Sequence, residues 1–292
     1  MKFVKMHGLG NDYVYISTFD QKVENRSEIA KYVSDRHFGI AADGAIFINP
    51  SDEADCEMEM YNADGSRSEM CGNGIRCVAK FVYDFGIVDK TEISVISMGK
   101  VKYLTLYTKK EEPQPLTGLK YGTREDGMVV DTVKVDMGEP ELVPELIPVV
   151  AEGNTCIDQC IEVDGREYNM TCVSMGNPHC VVYVEDPDSF PLEKIGPLFE
   201  NHKRFPKRVN AEFAKVLDTK NIRMRVWERG SGETLACGTG ACATAVASML
   251  NQLCEDEVTL HLLGGDLSIR WDRKTNHVFM TGSATTVYTG EI

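Results

Sequence analysis

The stretch EMCGNGIRC at residues 69–77 places a cysteine directly before a glycine-rich turn that leads into an apolar segment with helical spacing. A second stretch, LACGTGACA at residues 235–243, has the same C-G-x-G order. The two cysteines, Cys71 and Cys237, are 237 − 71 = 166 positions apart. This separation is the offset at which the rest of the chain can be tested for an internal repeat.

Other landmarks recur at this offset without gaps. Gly10-Asn11 corresponds to Gly176-Asn177, and each asparagine precedes its cysteine by 60 positions (71 − 11 and 237 − 177). The same offset pairs the following identical residues: Ile29 with Ile195, Ala45 with Ala211, Phe47 with Phe213, and Ala79 with Ala245. The sequence therefore predicts two similar half-molecules.

Each half has the same order of features: Gly-Asn, a β-rich run, a helix, a strand, a polar loop, and then C-G-x-G with a second helix. The first helices are predicted in SEIAKYVSDRHFG (27–39) and PLEKIGPLFENH (191–202), with Ser27 as an N-cap and Pro191 in a first turn. Alternating stretches such as VKYLTLYT and DLSIRWD indicate β-strands around the helices. We expect α+β halves.

The two helices after C-G-x-G differ in composition. In GIRCVAKFVYDFG the apolar residues have helical spacing, whereas GACATAVASMLNQLC is small or apolar nearly all round. A helix of the second kind is normally buried on every side.

Length and charge exclude several classes of function. A chain of 292 residues with 42% hydrophobic residues is long enough for about two domains. A net charge of −14 argues against nucleic-acid and anionic-membrane partners, which require clustered Lys and Arg. The N-terminal segment lacks the apolar core of a signal peptide, and no stretch is long enough to span a bilayer, so we expect a cytoplasmic protein.

The ten cysteines are best interpreted as free thiols in a chain without a secretion signal. Their spacing does not favour a metal site. The cysteine pairs are C-x5-C, C-x3-C and C-x4-C, and the C-x2-C spacing of structural zinc sites does not occur.

A cysteine at a helix start has a distinct chemistry. Unpaired N–H groups and a partial positive charge stabilise an anion there, which favours the thiolate. Two such thiols on opposite sides of one carbon can remove a proton from one face and deliver a proton to the other, which is the requirement for racemisation or epimerisation. The expected donors to the charge that develops on the substrate carboxylate are backbone N–H groups of Gly72, Asn73, Gly238 and Thr239.

The motifs HGLGNDYV, YNADGSRSEMCGNGIRC, SMGNPHC, VNAEF and WERGSGETLACGTGACA resemble those of the diaminopimelate epimerase family, in the family's order and across both halves. The resemblance implies two pseudo-symmetric domains, each a mostly antiparallel β-sheet wrapped around a central α-helix, with the active site in the cleft between them. It also implies that Cys71 and Cys237 are the paired acid and base, and that LL-2,6-diaminopimelate and its meso form are interconverted without an organic cofactor or a metal.

The same resemblance assigns roles to further residues. It implies that the following residues bind the substrate, the last four of them around the distal amino-acid group: Asn11, Asn62, Asn177, Asn210 and Arg229. His179 and Glu228 are expected to modulate the thiol pKa values, and Glu228 can also accept from a substrate ammonium. Many family members have glutamine where this chain has Gly44, so no ligand role is assigned to that position.

Structural interpretations remain open for several of these residues. Asn11 and Asn177 each follow glycine and could form turns, His179 could be a packed structural histidine, and Arg229 could be solvated. The cysteines outside the pair, including Cys77, Cys180 and Cys242, are interpreted as packing residues.

The offset predicts the domain boundaries. We expect an N-terminal half of residues 1–127, joined by a C-terminal strand at 279–292, and a C-terminal half of residues 128–278. Residues from about 127 to 166 have no repeat partner, and they continue an acidic segment that starts near 109. A crossover, surface loops and extra strands are expected there.

Alternative functions are a racemase of another amino acid such as histidine, a cysteine hydrolase with His179 as base, and a non-catalytic amino-acid binding protein. The hydrolase and the binding protein would not account for the second thiol. The sequence does not exclude the Schiff-base lysine of a pyridoxal phosphate enzyme, although paired thiols make one unnecessary. It also leaves open whether the chain forms a homodimer.

Overall fold

A computed structural model gives the structure of residues 1–67, 71–113 and 120–292. Residues 68–70, directly before Cys71, and residues 114–119 of the acidic segment lie outside the described residues. The described chain divides into two compact units, residues 1–135 with 281–292, and residues 136–280.

The described residues form four helices: α1 Arg26–Ser34, α2 Gly72–Asp84, α3 Leu192–Glu200 and α4 Gly238–Leu250. They also form the following strands: β1 Lys2–Gly8, β2 Asn11–Ser17, β3 Gly44–Asn49, β4 Cys56–Asn62, β5 Glu92–Ser97, β6 Lys100–Lys110, β7 Met128–Gly138, β8 Gln159–Val163, β9 Arg166–Ser174, β10 Pro178–Tyr183, β11 Asn210–Asp218, β12 Asn221–Glu228, β13 Gly232–Glu233, β14 Glu257–Leu262, β15 Gly265–Trp271, β16 Val278–Ser283 and β17 Thr285–Glu291.

The sheet of the first unit runs β17, β1, β2, β3, β4, β5, β6, β7. The pairs β2–β3 and β4–β5 are parallel, and the other pairs in this run are antiparallel. Helix α1 connects β2 to β3, and helix α2 connects β4 to β5, as parallel neighbours require a crossover.

The sheet of the second unit repeats this pattern. It runs β8, β9, β10, β11, β12, β14, β15, with β10–β11 and β12–β14 parallel and the other pairs antiparallel. Helices α3 and α4 make the two crossovers. Both α2 and α4 have 13 residues, and both begin at positions 166 apart (238 − 72), as do α1 and α3 with 9 residues each (192 − 26). The predicted α+β fold with two pseudo-symmetric halves is confirmed.

The central helices α2 and α4 pack against several strands of their own unit. The complete burial predicted for α4 is nearly met, since Thr239 and Leu250 are the two partly exposed positions. Helix α2, which has the predicted helical spacing of apolar residues, is more completely buried, since all 13 of its residues are buried. Its polar side chains are satisfied inside the unit: Lys80 donates to Val130 O (2.7 Å) and pairs with Asp84 (2.6 Å).

The first helix starts one residue earlier than its predicted cap. Asn25 occupies the N-cap in a left-handed conformation (φ 54°), and Ser27 lies inside α1, where its hydroxyl donates to Gly65 O (2.8 Å). The Ser27 cap was therefore wrong, because a tertiary partner takes the hydroxyl. Pro191 directly precedes α3.

The boundaries between the units differ from the expected positions 127 and 278. Strand β7 extends the first sheet, because its residues from Met128 to Val135 pair with β6. The segment without a repeat partner supplies this strand and β8, and its residues Ile147, Val149 and Cys156 are buried in the core of the second unit. Strand β17 pairs with β1 and belongs to the first unit. Among the described residues, none of the helices has the length and apolar character needed to cross a membrane.

Candidate active site

Both cysteines of the C-G-x-G motifs are helix N-caps with nearly the same backbone conformation. Cys71 has φ −116° and ψ 116°, and Cys237 has φ −111° and ψ 109°. Gly74 N–H donates to Cys71 Sγ (3.3 Å), and Gly240 N–H donates to Cys237 Sγ (3.4 Å). Sulfur thus occupies the place that a Ser, Thr or Asp oxygen usually takes at a helix start.

In the first unit, Asn11 lies beside Cys71. The Cys71 thiol donates to Asn11 Oδ1 (3.3 Å), while Asn11 Nδ2 donates to Asp43 Oδ2 (2.8 Å). Burial raises the pKa of Asp43, and the charge of Asp12 raises it further. Asp43 was not predicted as a site residue, although it directly precedes the noted Gly44. These contacts fix the amide of Asn11 with its oxygen towards the thiol.

The start of α2 is held by a buried guanidinium. Arg76 has no exposed surface, and it donates to Asn73 Oδ1 (2.9 Å) and to Gly72 O (3.1 Å). The backbone of the predicted anion-binding turn is therefore fixed by a residue that the sequence analysis did not single out. Asn62, at the end of β4, donates to Ser66 Oγ (3.0 Å) within its own turn.

In the second unit, Cys237 is buried, with 5% of its surface exposed. Burial raises the pKa of the Cys237 thiol well above its ordinary value, and the charge of Glu228 raises it further. The hydroxyl of Thr239, 3.5 Å from Sγ, and the Gly240 N–H oppose this rise. Burial therefore has a larger effect on the pKa of the Cys237 thiol than the hydrogen bonds at the helix start.

His179, Asn177 and Glu212 form a hydrogen-bonded chain in the second unit. His179 Nδ1 lies 2.7 Å from Glu212 Oε1, and Nε2 lies 3.0 Å from Asn177 Oδ1. Neither His179 nor Glu212 has exposed surface. Burial lowers the pKa of His179 to about 3, with a further decrease from Arg229, and burial raises the pKa of Glu212 well above its ordinary value. Glu212 was missed, although it lies within the quoted motif VNAEF.

Asn210 and Arg229 are joined through the backbone. Arg229 N–H donates to Asn210 Oδ1 (2.9 Å), and Asn210 Nδ2 donates to Pro178 O (2.8 Å). The guanidinium of Arg229 donates to Lys207 O (3.2 Å) and is partly exposed. Glu228 accepts from the Thr234 hydroxyl.

The structure therefore gathers the predicted residues into two groups. Asn11, Cys71, Gly72 and Asn73 belong to one group, in the first unit, and the other group is in the second unit: Asn177, His179, Asn210, Glu228, Arg229, Cys237, Gly238 and Thr239. Asn62 is hydrogen-bonded within its turn rather than to the first group. All ten cysteines are free, and no cluster of three or more His, Cys, Asp or Glu suited to a metal ion occurs in the described parts of the chain.

Comparisons with known proteins give the following matches. A family model described as Diaminopimelate epimerase matches residues 3–143 and 171–287. The diaminopimelate epimerase of Agathobacter rectalis is 56% identical over 299 residues, which cover 100% of this chain and 99% of that protein. The diaminopimelate epimerase of Methanococcus maripaludis is 55% identical over 292 residues, with coverages of 100% and 99%.

Solved structures with a similar fold have much lower identities. A probable proline racemase from Agrobacterium radiobacter matches with a TM-score of 0.69 at 13% identity and covers 100% of this chain and 92% of that chain. A PhzF family phenazine biosynthesis protein from Bacillus anthracis matches with a TM-score of 0.68 at 14% identity, with coverages of 100% and 98%. These structural matches show the fold alone.

Proposed function

The chain belongs to the diaminopimelate epimerase family, and from this premise we propose that Cys71 and Cys237 are the two groups that exchange protons with one α-carbon of the substrate. The protein is an isomerase that interconverts LL-2,6-diaminopimelate and meso-diaminopimelate, a step of lysine and cell-wall precursor biosynthesis.

The observation that supports this mechanism is the equivalence of the two thiols. Each sulfur caps the helix that follows a C-G-x-G turn, and each accepts the N–H of the second glycine. Inversion of a carbon centre requires one group that removes a proton from one face and another that delivers a proton to the opposite face. A pair of equivalent thiols can exchange these roles when the reaction runs in reverse.

The reaction then proceeds in two proton transfers. One cysteine, as the thiolate, takes the α-proton while electron density moves onto the adjacent carboxylate. The backbone N–H groups at the starts of α2 and α4, at Gly72, Asn73, Gly238 and Thr239, stabilise that charge. The other cysteine, as the thiol, protonates the opposite face. Burial raises the pKa of Cys237, which favours the protonated thiol at this position.

The remaining site residues bind the substrate. Arg229 offers a planar fork for a carboxylate, and the asparagine amides can both donate and accept, as a zwitterionic amino-acid group requires. Glu228 can accept from the substrate ammonium. We assign the distal group to Asn62, Asn177, Asn210 and Arg229, and we assign Asn11 to the group that reacts, because its amide contacts Cys71.

We further propose that the reaction needs neither an organic cofactor nor a metal, since the two thiols supply both proton transfers. Turnover should therefore persist after exhaustive dialysis against a chelator, and the purified protein should show no cofactor absorbance. The ten free cysteines suit the reducing cytoplasm, where we expect the protein to act on a small amino acid rather than on nucleic acid or membrane.

The deciding experiment is proton NMR of LL-diaminopimelate in deuterated water with the protein and with the Cys71→Ala and Cys237→Ala variants. We expect loss of the α-proton signal and appearance of the meso isomer with the unchanged protein, and neither change with the variants. Epimerisation by either variant at a rate within about tenfold of that of the unchanged protein would refute the two-thiol mechanism. The same assay with histidine and other amino acids would detect a racemase of different specificity.

A further inference from the structure

Glu212 lies at a position where the two halves of the molecule differ in chemistry. The offset of 166 pairs Glu212 with Ile46 (212 − 46) and His179 with Tyr13 (179 − 13). Both members of the first pair pack against the second glycine of a C-G-x-G motif. A methyl group added at Gly240 would lie 2.8 Å from Glu212 Oε1, and one added at Gly74 would lie 2.9 Å from Ile46 Cδ1. A carboxyl group thus replaces a hydrocarbon beside only one of the two helix starts.

The Glu212 carboxyl group is buried against His179, whose pKa is lowered to about 3 by burial. Oε1 contacts His179 Nδ1, and Oε2 has no hydrogen-bond partner among the described residues. The charged groups that act on this pair are Glu228 and Arg229. Glu228 disfavours a negative charge on Glu212 and favours a positive charge on His179, whereas Arg229 disfavours that positive charge. An ionised carboxylate with an unsatisfied oxygen would be costly here. The pair is therefore neutral, with the carboxyl as the donor.

The proton on Glu212 sets which group donates and which accepts at each hydrogen bond from Glu212 through His179 to Asn177. When Glu212 Oε1–H donates to His179 Nδ1, the neutral ring carries its own hydrogen on Nε2. Nε2–H then donates to Asn177 Oδ1, 3.0 Å away. The oxygen of the Asn177 amide is engaged, so its NH2 group is the end that remains to face a ligand.

We propose that Glu212 is a positioning residue that selects the His179 tautomer and, through it, presents the Asn177 NH2 group to a carboxylate of the substrate. This inference rests on the proposed function only in taking Asn177 as a substrate ligand. Asn11, the repeat partner of Asn177, is oriented by Asp43 and Cys71 instead, with its oxygen towards the thiol. Different neighbouring side chains therefore fix the amide orientations of the two asparagines.

The tautomer can be measured on the ligand-free protein. Nitrogen-15 NMR of protein labelled at histidine distinguishes protonated from unprotonated ring nitrogens, and the His179→Gln variant assigns the signal among the six histidines. We expect Nε2 protonated and Nδ1 unprotonated. Signals of a doubly protonated ring, or of the Nδ1–H tautomer, would overturn the proposal.

Two substitutions at Glu212 separate orientation from general stability. In Glu212→Gln the side-chain NH2 can still donate to Nδ1, so the tautomer and the KM for diaminopimelate should be preserved. In Glu212→Met the sulfur can only accept, which favours Nδ1–H and turns the Asn177 oxygen towards the substrate. We expect KM to rise about tenfold or more, as for the loss of a hydrogen bond to a charged group, with kcat little changed.

The matched control is Phe213→Leu, which perturbs the neighbouring position of β11, where the ring packs on Phe190 and Phe199. This variant should lose stability and keep its KM and its tautomer. An unchanged KM in Glu212→Met would overturn the positioning role. If the unchanged protein did not epimerise diaminopimelate, the proposed function would fall, and the ring tautomer would still decide whether Glu212 is the donor.

Discussion

Cys71 and Cys237 occupy equivalent positions but have different neighbours. The Cys71 thiol is half-buried and donates to a neutral amide, whereas Cys237 is buried beside the carboxyl groups of Glu228 and Glu212. The pair could be predicted from the sequence because the repeated motif names both residues. Glu212 could not, because its partner in the repeat is Ile46, and only the packing of β11 on α4 reveals a buried acid at that place.

The protonation of Glu212 predicts a pH-dependent stability. In the unfolded chain this carboxyl group has a pKa near 4.5, and burial raises its pKa in the folded state. The stability that Glu212 contributes is fully present below its pKa in the unfolded state. It is lost as the pH rises towards its pKa in the folded state.

Glutamine does not titrate, so the stability of Glu212→Gln relative to the unchanged protein should increase with pH, by up to about 1.4 kcal/mol per pH unit. Urea unfolding of both proteins at about pH 5 and about pH 7 measures this difference. In this range the Glu212 carboxyl group is expected to be protonated in the folded state and ionised in the unfolded state. A difference that stays constant with pH would mean that Glu212 is ionised in the folded protein.

At the scale of elements, the helices α2 and α4 use sulfur as their N-cap, which is not among the side chains that usually fill this position. The glycines of the two motifs predicted both helix starts correctly. The complete burial of α2 could not be predicted in the same way, because three charged residues in a helix normally indicate a solvated face. Here the tertiary partners of Arg76, Lys80 and Asp84 satisfy those charges inside the unit.

Substitution of each cysteine should distinguish its role as a helix N-cap from its role in proton transfer. Cys71→Ser and Cys237→Ser keep an acceptor for the glycine N–H, so their stability should stay near that of the unchanged protein, whereas the alanine variants should lose about 1 kcal/mol. All four variants should lose epimerisation by about 10²–10⁴-fold, because neither hydroxyl nor methyl replaces a thiolate base. Thermal unfolding and the epimerase assay together test this. Serine variants as unstable as the alanine variants would show that the sulfur does not act as a cap.

Helix α3 holds the loop that carries Arg229. Glu200, at the end of α3, accepts from Gly230 N–H (3.0 Å) and Arg208 (2.9 Å) through Oε1, and from Trp227 Nε1 (2.8 Å) through Oε2. Because Gly230 follows Arg229 directly, this carboxylate sets the position of the loop.

Glu200→Gln introduces an NH2 group among three donors, and we expect a loss of about 1.5–3 kcal/mol in stability together with a higher KM. Glu193→Gln, on the exposed face of the same helix, is the matched control and should change neither quantity. Steady-state kinetics and chemical unfolding provide the measurements. A normal KM in Glu200→Gln would show that the contact of Glu200 with this loop does not affect substrate binding.

At the scale of the whole molecule, the gapless offset predicted the repeated order of strands and helices in both units. It did not predict where one unit ends, since β7 belongs to a segment without a repeat partner and joins the first sheet through pairing with β6. The pairing of β7 depends on the free edge of β6 in the folded sheet, and local composition does not encode that edge.

The ends of the chain lie next to each other, since Met1 and Ile292 exchange backbone hydrogen bonds. A circular permutant that joins them with a short Gly-Ser linker and opens the exposed turn between Lys274 and Thr275 should therefore fold and retain epimerase activity. Activity and circular dichroism check this result. As a control, a break between Ala45 and Ile46, inside a fully buried strand, should abolish folding.

The pairing of the last strand with the first has a consequence for synthesis on the ribosome. The second unit is contiguous from 136 to 280 and is complete once those residues have emerged. The first unit is synthesised first, yet the edge of β1 stays uncovered until β17 has been translated. The later half of the molecule can therefore complete its folding first, while the earlier half must wait until β17 has also emerged.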